Sequence, residues 1–72
     1  MLKRFVEAYP SSRIDLVDSD YGWWVRAWVN GRLARTAWES LESLARTVAK
    51  EMSTYYTSPD KPLPIIKANT RR

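Results

Sequence analysis

The stretch that decides the fold runs from Trp23 to Trp38 and reads WWVRAWVNGRLARTAW. Its centre is Asn30-Gly31, and the runs on either side are rich in Val, Trp and Ala. A type I′ turn needs a positive φ at both of its central residues, and Asn-Gly is the dipeptide that best meets this requirement. The sequence therefore predicts a β-hairpin whose two loop residues are Asn30 and Gly31.

This turn also predicts the pairing of the two arms, because a two-residue loop places its flanking residues opposite one another. The predicted opposed pairs are Val29/Arg32, Trp28/Leu33, Ala27/Ala34, Arg26/Arg35, Val25/Thr36, Trp24/Ala37 and Trp23/Trp38. Alternate residues of a strand point to opposite faces of a sheet. One predicted face is mostly apolar and suited to receive a helix: Trp23, Val25, Ala27, Val29, Ala34, Thr36 and Trp38. The other predicted face carries Trp24, Arg26, Trp28, Leu33 and Arg35.

The second face combines aromatic and basic side chains. Arg26 and Arg35 are predicted to be directly opposed, and like charges in that position destabilise a sheet, so an anionic partner over them is expected. The arginine fork suits phosphates and guanine edges, and a small sheet can enter the major groove. Alternatively, the N-terminal segment, the tail or a second subunit covers Trp24, Trp28 and Leu33. Exposed Trp and Arg are also typical of protein interfaces.

Two further segments precede the hairpin. Leu2, Phe5, Val6 and Tyr9 recur at helical spacing, which predicts a short amphipathic helix ended by Pro10, with a strand as the alternative. The stretch Arg13 to Asp18 is predicted to be the first strand, with Ile14 and Leu16 on one face.

A helix is predicted after the hairpin, with Ser40 as its N-cap. Its apolar stripe has the spacing i, i+3, i+4, i+7, i+8, i+11: Leu41, Leu44, Ala45, Val48, Ala49 and Met52. The predicted fold is α+β: a three-stranded antiparallel meander packed on one long helix, plus the short N-terminal helix and an extended basic C-terminal tail. The predicted division is a single domain over residues 1–58 and a Pro-containing basic tail over 59–72.

Composition argues against several kinds of chemistry. The 72 residues include no Cys and no His, which excludes disulfides, thiolate metal sites and a histidine base. With only two glycines, no phosphate-binding glycine loop is present. A non-enzymatic protein without cofactor or metal is therefore expected. No signal peptide or membrane-spanning run is seen, so the expected location is the cytoplasm. The net charge of +4 is concentrated on the hairpin and the tail, which favours an acidic partner.

The run WVRAWVNGR, followed by TAWESLESLA at the start of the helix, resembles the DNA-binding domains of the AP2 and phage-integrase arm-binding type. The resemblance covers about the middle half of the chain. It implies core positions at Trp23, Val25, Ala27, Val29, Trp38, Leu44 and Ala45. It implies groove-facing positions at Trp24, Arg26, Trp28 and Arg35. The chain departs from that pattern in its bulky Trp24 and Trp28 and in an acidic first strand.

The resulting prediction is a small binding module that docks on double-stranded DNA, as an accessory factor of a phage or mobile element. The alternative is a phage-type protein inhibitor of host machinery, similar in architecture to anti-CRISPR proteins, or a homodimeric adaptor that uses the Trp-rich face. Candidate binding residues for nucleic acid or a protein partner are Trp24, Arg26, Trp28, Arg32, Leu33, Arg35, Lys61, Lys67, Arg71 and Arg72.

Overall fold

The computed structural model describes residues 10–58 and 60–69, and the predicted N-terminal helix lies outside them. The described part contains four strands and one helix. In chain order they are β1 (Arg13–Asp18), β2 (Trp23–Val29), β3 (Arg32–Glu39), α1 (Glu42–Tyr55) and β4 (Ile65–Asn69). The first strand has the bounds that the sequence predicts.

The strands form one mixed sheet in the order β3-β2-β1-β4. β1 pairs antiparallel with β2, and β2 with β3, whereas β4 lies parallel to β1. The predicted three-stranded antiparallel sheet is therefore wrong, because β4 forms within the segment predicted to be an extended tail. Pro62 and Pro64 exclude a helix, but they precede the strand rather than interrupt it. The Pro64 carbonyl accepts a hydrogen bond from the Ile14 N–H at 2.8 Å, and the ladder continues from there.

The hairpin has the predicted turn, with φ values of 54° at Asn30 and 79° at Gly31. The predicted pairs Val29/Arg32 and Trp28/Leu33 are confirmed. The other five predicted pairs are wrong, because Ala34 is an extra residue that forms a β-bulge. The observed pairs beyond it are Ala27/Arg35, Arg26/Thr36, Val25/Ala37, Trp24/Trp38 and Trp23/Glu39.

The bulge exchanges the two faces of β3 for every residue beyond Ala34, since side chains alternate with a period of two. It places the small Ala37 opposite Val25 beneath the helix, where Thr36 was predicted. It also separates Arg35 from Arg26, which removes the predicted repulsion between opposed arginines.

The helix packs on the sheet through small side chains. Ile14, Leu16, Val25 and Ala27 of the sheet form the buried core with Ala45, Ala49 and Met52 of α1. Leu41 and Leu44 were predicted to be part of this contact, but they are 58 % and 47 % exposed. The prediction is wrong for these two leucines because the close approach is centred on the alanines, which turns the leucines to one side.

The helix also begins later than predicted. Its N-cap is Leu41, which makes no side-chain capping hydrogen bond, so Ser40 is not the N-cap. Glu42 occupies the first turn and puts a negative charge at the positive end of the helix dipole.

The two flanks of α1 face opposite edges of the sheet. Near its start, Glu42 lies 3.7 Å from Lys67 Nζ of β4. Near its end, the Tyr55 ring lies 5.7 Å from the Arg35 guanidinium of β3. Because β3 and β4 are the two outer strands of the sheet, one flank of the helix faces each edge.

One buried polar residue of α1 fixes the connection to β4. Ser53 is 4 % exposed, and its hydroxyl donates to the Leu63 carbonyl at 2.6 Å. The Leu63 N–H donates in turn to the Ser53 carbonyl at 3.0 Å. This reciprocal pair holds the returning chain against the helix just before β4 begins.

We expect Ser53→Ala to lower the free energy of unfolding by about 1–2 kcal/mol, because the Leu63 carbonyl loses a buried donor. Urea denaturation followed by circular dichroism measures the change. Thr47→Ala is the matched control, since the Thr47 hydroxyl donates to the Ser43 carbonyl on the exposed side of the same helix. Equal stability of the two variants would contradict this role of Ser53.

The carboxylate of Glu42 anchors the start of α1. A hydrogen bond from Arg46 Nε at 2.8 Å, together with the Lys67 charge, holds the pKa of Glu42 below its ordinary value of 4.5. A carboxylate with a lowered folded-state pKa stabilises the fold above the unfolded-state pKa, and this contribution is lost as the pH falls through the folded-state value. Glu42 therefore stabilises the fold at neutral pH, and this stabilisation is lost only at acidic pH.

We expect Arg46→Gln to raise the pKa of Glu42 towards 4.5, because the charged donor is removed. An NMR titration of the Glu42 side-chain carboxyl carbon measures this shift. Lys50→Gln removes a positive charge from the same helix without touching Glu42, so the pKa should stay low. An unchanged pKa in Arg46→Gln would show that Lys67 or the helix dipole is the dominant cause.

Candidate interaction face

In β1, β2 and β3, the face of the sheet opposite α1 carries three rows of side chains, each with one residue from each of these strands. The strand registers define the rows as Arg13–Trp28–Leu33, Asp15–Arg26–Thr36 and Val17–Trp24–Trp38. We call this surface the aromatic face. Three of the four tryptophans of the chain lie on it. In residues 10–58 and 60–69 the only helix packs on the other side of the sheet.

The exposed fraction of the side chains on the aromatic face increases from β1 through β2 to the outer strand β3. Val17, in β1, is only 3 % exposed. Trp24 and Trp28, in β2, are half-buried. Leu33 and Trp38, in β3, are 51 % and 44 % exposed. The part of the face that a partner can reach most easily therefore follows β3.

Each arginine of the aromatic face lies over a tryptophan. The Arg13 guanidinium carbon is 5.1 Å from the centroid of Trp28, and that of Arg26 is 5.8 Å from the centroid of Trp24. Arg13 Nε is also 2.8 Å from Asp15 Oδ1, so its charge is largely compensated. Within the described part of the chain no carboxylate lies within ion-pair distance of Arg26. Arg26 is thus the cation of this face that can bind an acidic group.

The structure divides the predicted site residues between the two sides of the sheet. Trp24, Arg26, Trp28 and Leu33 lie on the aromatic face, as predicted. Arg35 was predicted to join them, but the bulge places it on the helix side, where it contacts Tyr55.

The remaining predicted cations are dispersed. Arg32 lies opposite Val29 at the end of the hairpin. Lys67 approaches Glu42 and lies 5.3 Å from the centroid of Trp23, both on the helix side. Lys61 is exposed in the connection to β4. Arg71 and Arg72 lie outside the described residues.

Trp38 belongs to the aromatic face but was predicted to lie under the helix. Its indole ring packs on Gly22: a Cβ atom at Gly22 would lie 2.5 Å from Trp38 Cζ2. Nothing in the sequence marks the bulge, so the predicted strand register placed Trp38 on the wrong face and could not predict this contact. The available signal is the glycine itself, which stands directly before the Trp-Trp pair of β2.

The aromatic face can bind by apolar contact, by stacking and through the hydrogen-bond donors of Arg26.

The indole N–H of Trp28 is buried and has no hydrogen-bond partner among the described residues. Those residues contain no cluster of three or more acidic or histidine side chains that could hold a metal ion. They also contain no helix that is both long and apolar enough to cross a membrane.

Comparison of the chain with protein-family models, with curated proteins and with solved structures found no match.

We expect Gly22→Ala to lower the free energy of unfolding by about 1–3 kcal/mol, because the new methyl group collides with the Trp38 ring and with the Glu39 carbonyl. Thermal unfolding measures the loss, and the tryptophan emission spectrum of the protein should change because the Trp38 ring is displaced. Tyr21→Ala is the control, since this neighbouring side chain is 89 % exposed. A Gly22→Ala protein as stable as the wild type would show that the ring does not depend on this contact.

Proposed function

We propose that the protein is a non-enzymatic binding module that docks a partner protein on the aromatic face. The observation that carries the proposal is the presence of Trp38 beside Trp24, Trp28 and Leu33 on one side of the sheet. Tryptophan and arginine are the residues most enriched among those that contribute most to protein binding. Charged residues are depleted at the centre of such interfaces, and the compensated Arg13–Asp15 pair fits that pattern.

The geometry also indicates the chemistry of the partner. The reachable apolar surface follows Leu33 and Trp38, while Arg26 lies in the middle row between two tryptophans. A complementary protein surface therefore carries apolar side chains that cover β3 and one carboxylate that meets the Arg26 fork. A protein that docks in this way could act as an inhibitor of host machinery. Identifying the partner would test whether this protein does so.

The test begins with a photo-crosslinking residue at position 36, an exposed position of the aromatic face that leaves Trp38 in place, in the organism that encodes the protein, with the same residue at position 50 as the control. The crosslinked protein is purified and its affinity is measured by calorimetry. We expect Trp38→Ala and Leu33→Ser each to weaken binding by about tenfold or more, because they remove central apolar contacts. Thr47→Ala, on the exposed side of α1, should leave the affinity unchanged.

Other results would overturn this proposal. No crosslink specific to position 36, or an affinity that does not respond to Trp38→Ala, would exclude the aromatic face as the docking surface. A crosslink only to a second copy, with a dimer mass by light scattering, would identify the protein as a homodimer instead.

DNA binding is the second candidate, because Arg26 has a free guanidinium fork beside two tryptophans and the chain has a net charge of +4. The resemblance to AP2-type domains implies the same function. The opposed pair Arg26/Arg35, the original reason for that expectation, is absent. Duplex DNA that quenches tryptophan emission at low salt, with loss of binding at higher salt and in Arg26→Ala, would favour DNA over protein.

A further inference from the structure

We infer that β3 and α1 form a second binding site, in which an extended acidic segment of a partner protein adds to the sheet as a strand. This site lies at the open edge of β3 and on its helix side, and it uses the backbone groups of Thr36 and Trp38, whose side chains belong to the aromatic face. It combines unpaired backbone groups of an edge strand, an apolar helix stripe beside that strand, and two arginines at one end.

The backbone groups follow from the hairpin. A two-residue turn closes on a hydrogen-bonded pair, here Val29/Arg32, and hydrogen-bonded and non-bonded pairs then alternate along the ladder. The Ile14 N–H of β1 points away from β2, because it donates to the Pro64 carbonyl on the other side of β1. Ile14 and its β2 partner Ala27 are therefore a non-bonded pair, and the backbone N–H and C=O of Ala27 point towards β3. The pairs Arg26/Thr36 and Trp24/Trp38 are therefore non-bonded. The N–H and C=O groups of Thr36 and Trp38 consequently point away from the sheet.

These groups lie on the outer strand of the sheet, and the described residues supply no partner strand for them. Proteins commonly protect such an edge with charged side chains and bulges. In β3 the bulge at Ala34 and the charges of Arg32 and Arg35 protect the half next to the turn. The stretch from Thr36 to Trp38 is regular and uncharged, so it remains open to pairing.

An apolar cleft lies between this stretch and the flank of α1 that faces β3. Leu44, Val48 and Tyr55 share one stripe of the helix, because they are spaced i, i+4 and i+11. The contact of Tyr55 with Arg35 shows that this stripe faces β3. Leu44 and Tyr55 are 47 % and 71 % exposed, and the half-buried Ala37 forms the floor. An added strand would direct alternate side chains onto this stripe, as in other cases of β-strand addition.

The positive charges of β3 favour an acidic partner segment and indicate where its acidic residue lies. Arg32 and Arg35 are exposed, and β3 carries no acidic residue before Glu39. Glu51, on the solvent side of the helix stripe, disfavours acidic side chains farther along the cleft. The partner segment therefore has an acidic residue at the end next to Arg35 and apolar residues at alternate positions beyond it.

The probe is an acetylated and amidated hexapeptide with one glutamate followed by alternating valine and threonine. It is titrated to about 5 mM into the ¹⁵N-labelled protein, a range that detects even weak association. We expect amide shifts at Thr36, Ala37, Trp38 and Leu44. A second peptide, N-methylated at alternate residues, keeps the side chains but cannot form the ladder, and should bind at least about tenfold more weakly.

Two variants locate the site. Leu44→Ser should weaken binding several-fold, because it removes apolar surface from the cleft, whereas Thr47→Ser on the opposite side of α1 should not. Absence of shifts in β3, or equal binding of the N-methylated peptide, would overturn the inference. The two proposals can fail separately, because an affinity for the crosslinked protein that does not respond to Trp38→Ala contradicts the proposed function, whereas equal binding of the two peptides contradicts this site.

Discussion

The side-chain composition of both sheet faces depends on the bulge at Ala34. A strand alternates its side chains with a period of two, so one extra residue exchanges the faces for everything beyond it. In β3 the exchange moves Trp38 to the aromatic face and Arg35 to the helix side. It also places Ala37 beside Val25, where the helix needs a small apolar neighbour. The single extra residue Ala34 thus determines which β3 side chains enter the core, which lie on the aromatic face, and on which side of the sheet Arg35 lies.

The packing of α1 explains why the protein exposes so much apolar surface for its size. Ala45 and Ala49 allow the helix to approach Val25 and Ala27 closely, and the fully buried Ile14 and Leu16 complete the contact. A close contact through small residues buries a narrow stripe of the helix. The larger side chains Leu44 and Tyr55 are then left beside the core rather than inside it. The flank of α1 that carries these side chains faces the edge strand β3, where the cleft forms.

The sequence predicts local structure well and long-range pairing poorly. The bounds of β1, the positive φ values at Asn30 and Gly31, and the existence of α1 all depend on neighbouring residues. The strand Ile65–Asn69 does not, because it forms only by pairing with β1, more than forty residues earlier. The bulge also depends on long-range contacts. It favours core packing, separates Arg35 from Arg26 and lets Trp38 pack against Gly22. The residues of the aromatic face in β2 could therefore be predicted, whereas those in β3 beyond Leu33 could not.

We propose a protein partner rather than DNA because of how the charges of the aromatic face are arranged. A stacked guanidinium contributes about 0.5–1 kcal/mol at an exposed site, and its edge stays available for hydrogen bonds while its plane covers the ring. Arg13 and Arg26 both adopt this arrangement, but Asp15 compensates the charge of Arg13. The described part of the face is left with the net charge of Arg26 alone, among three tryptophans. DNA binding gains its affinity from neutralising many phosphates, whereas a protein interface gains it from a few buried aromatic and arginine side chains. The balance of charge and apolar area on this face matches the second case.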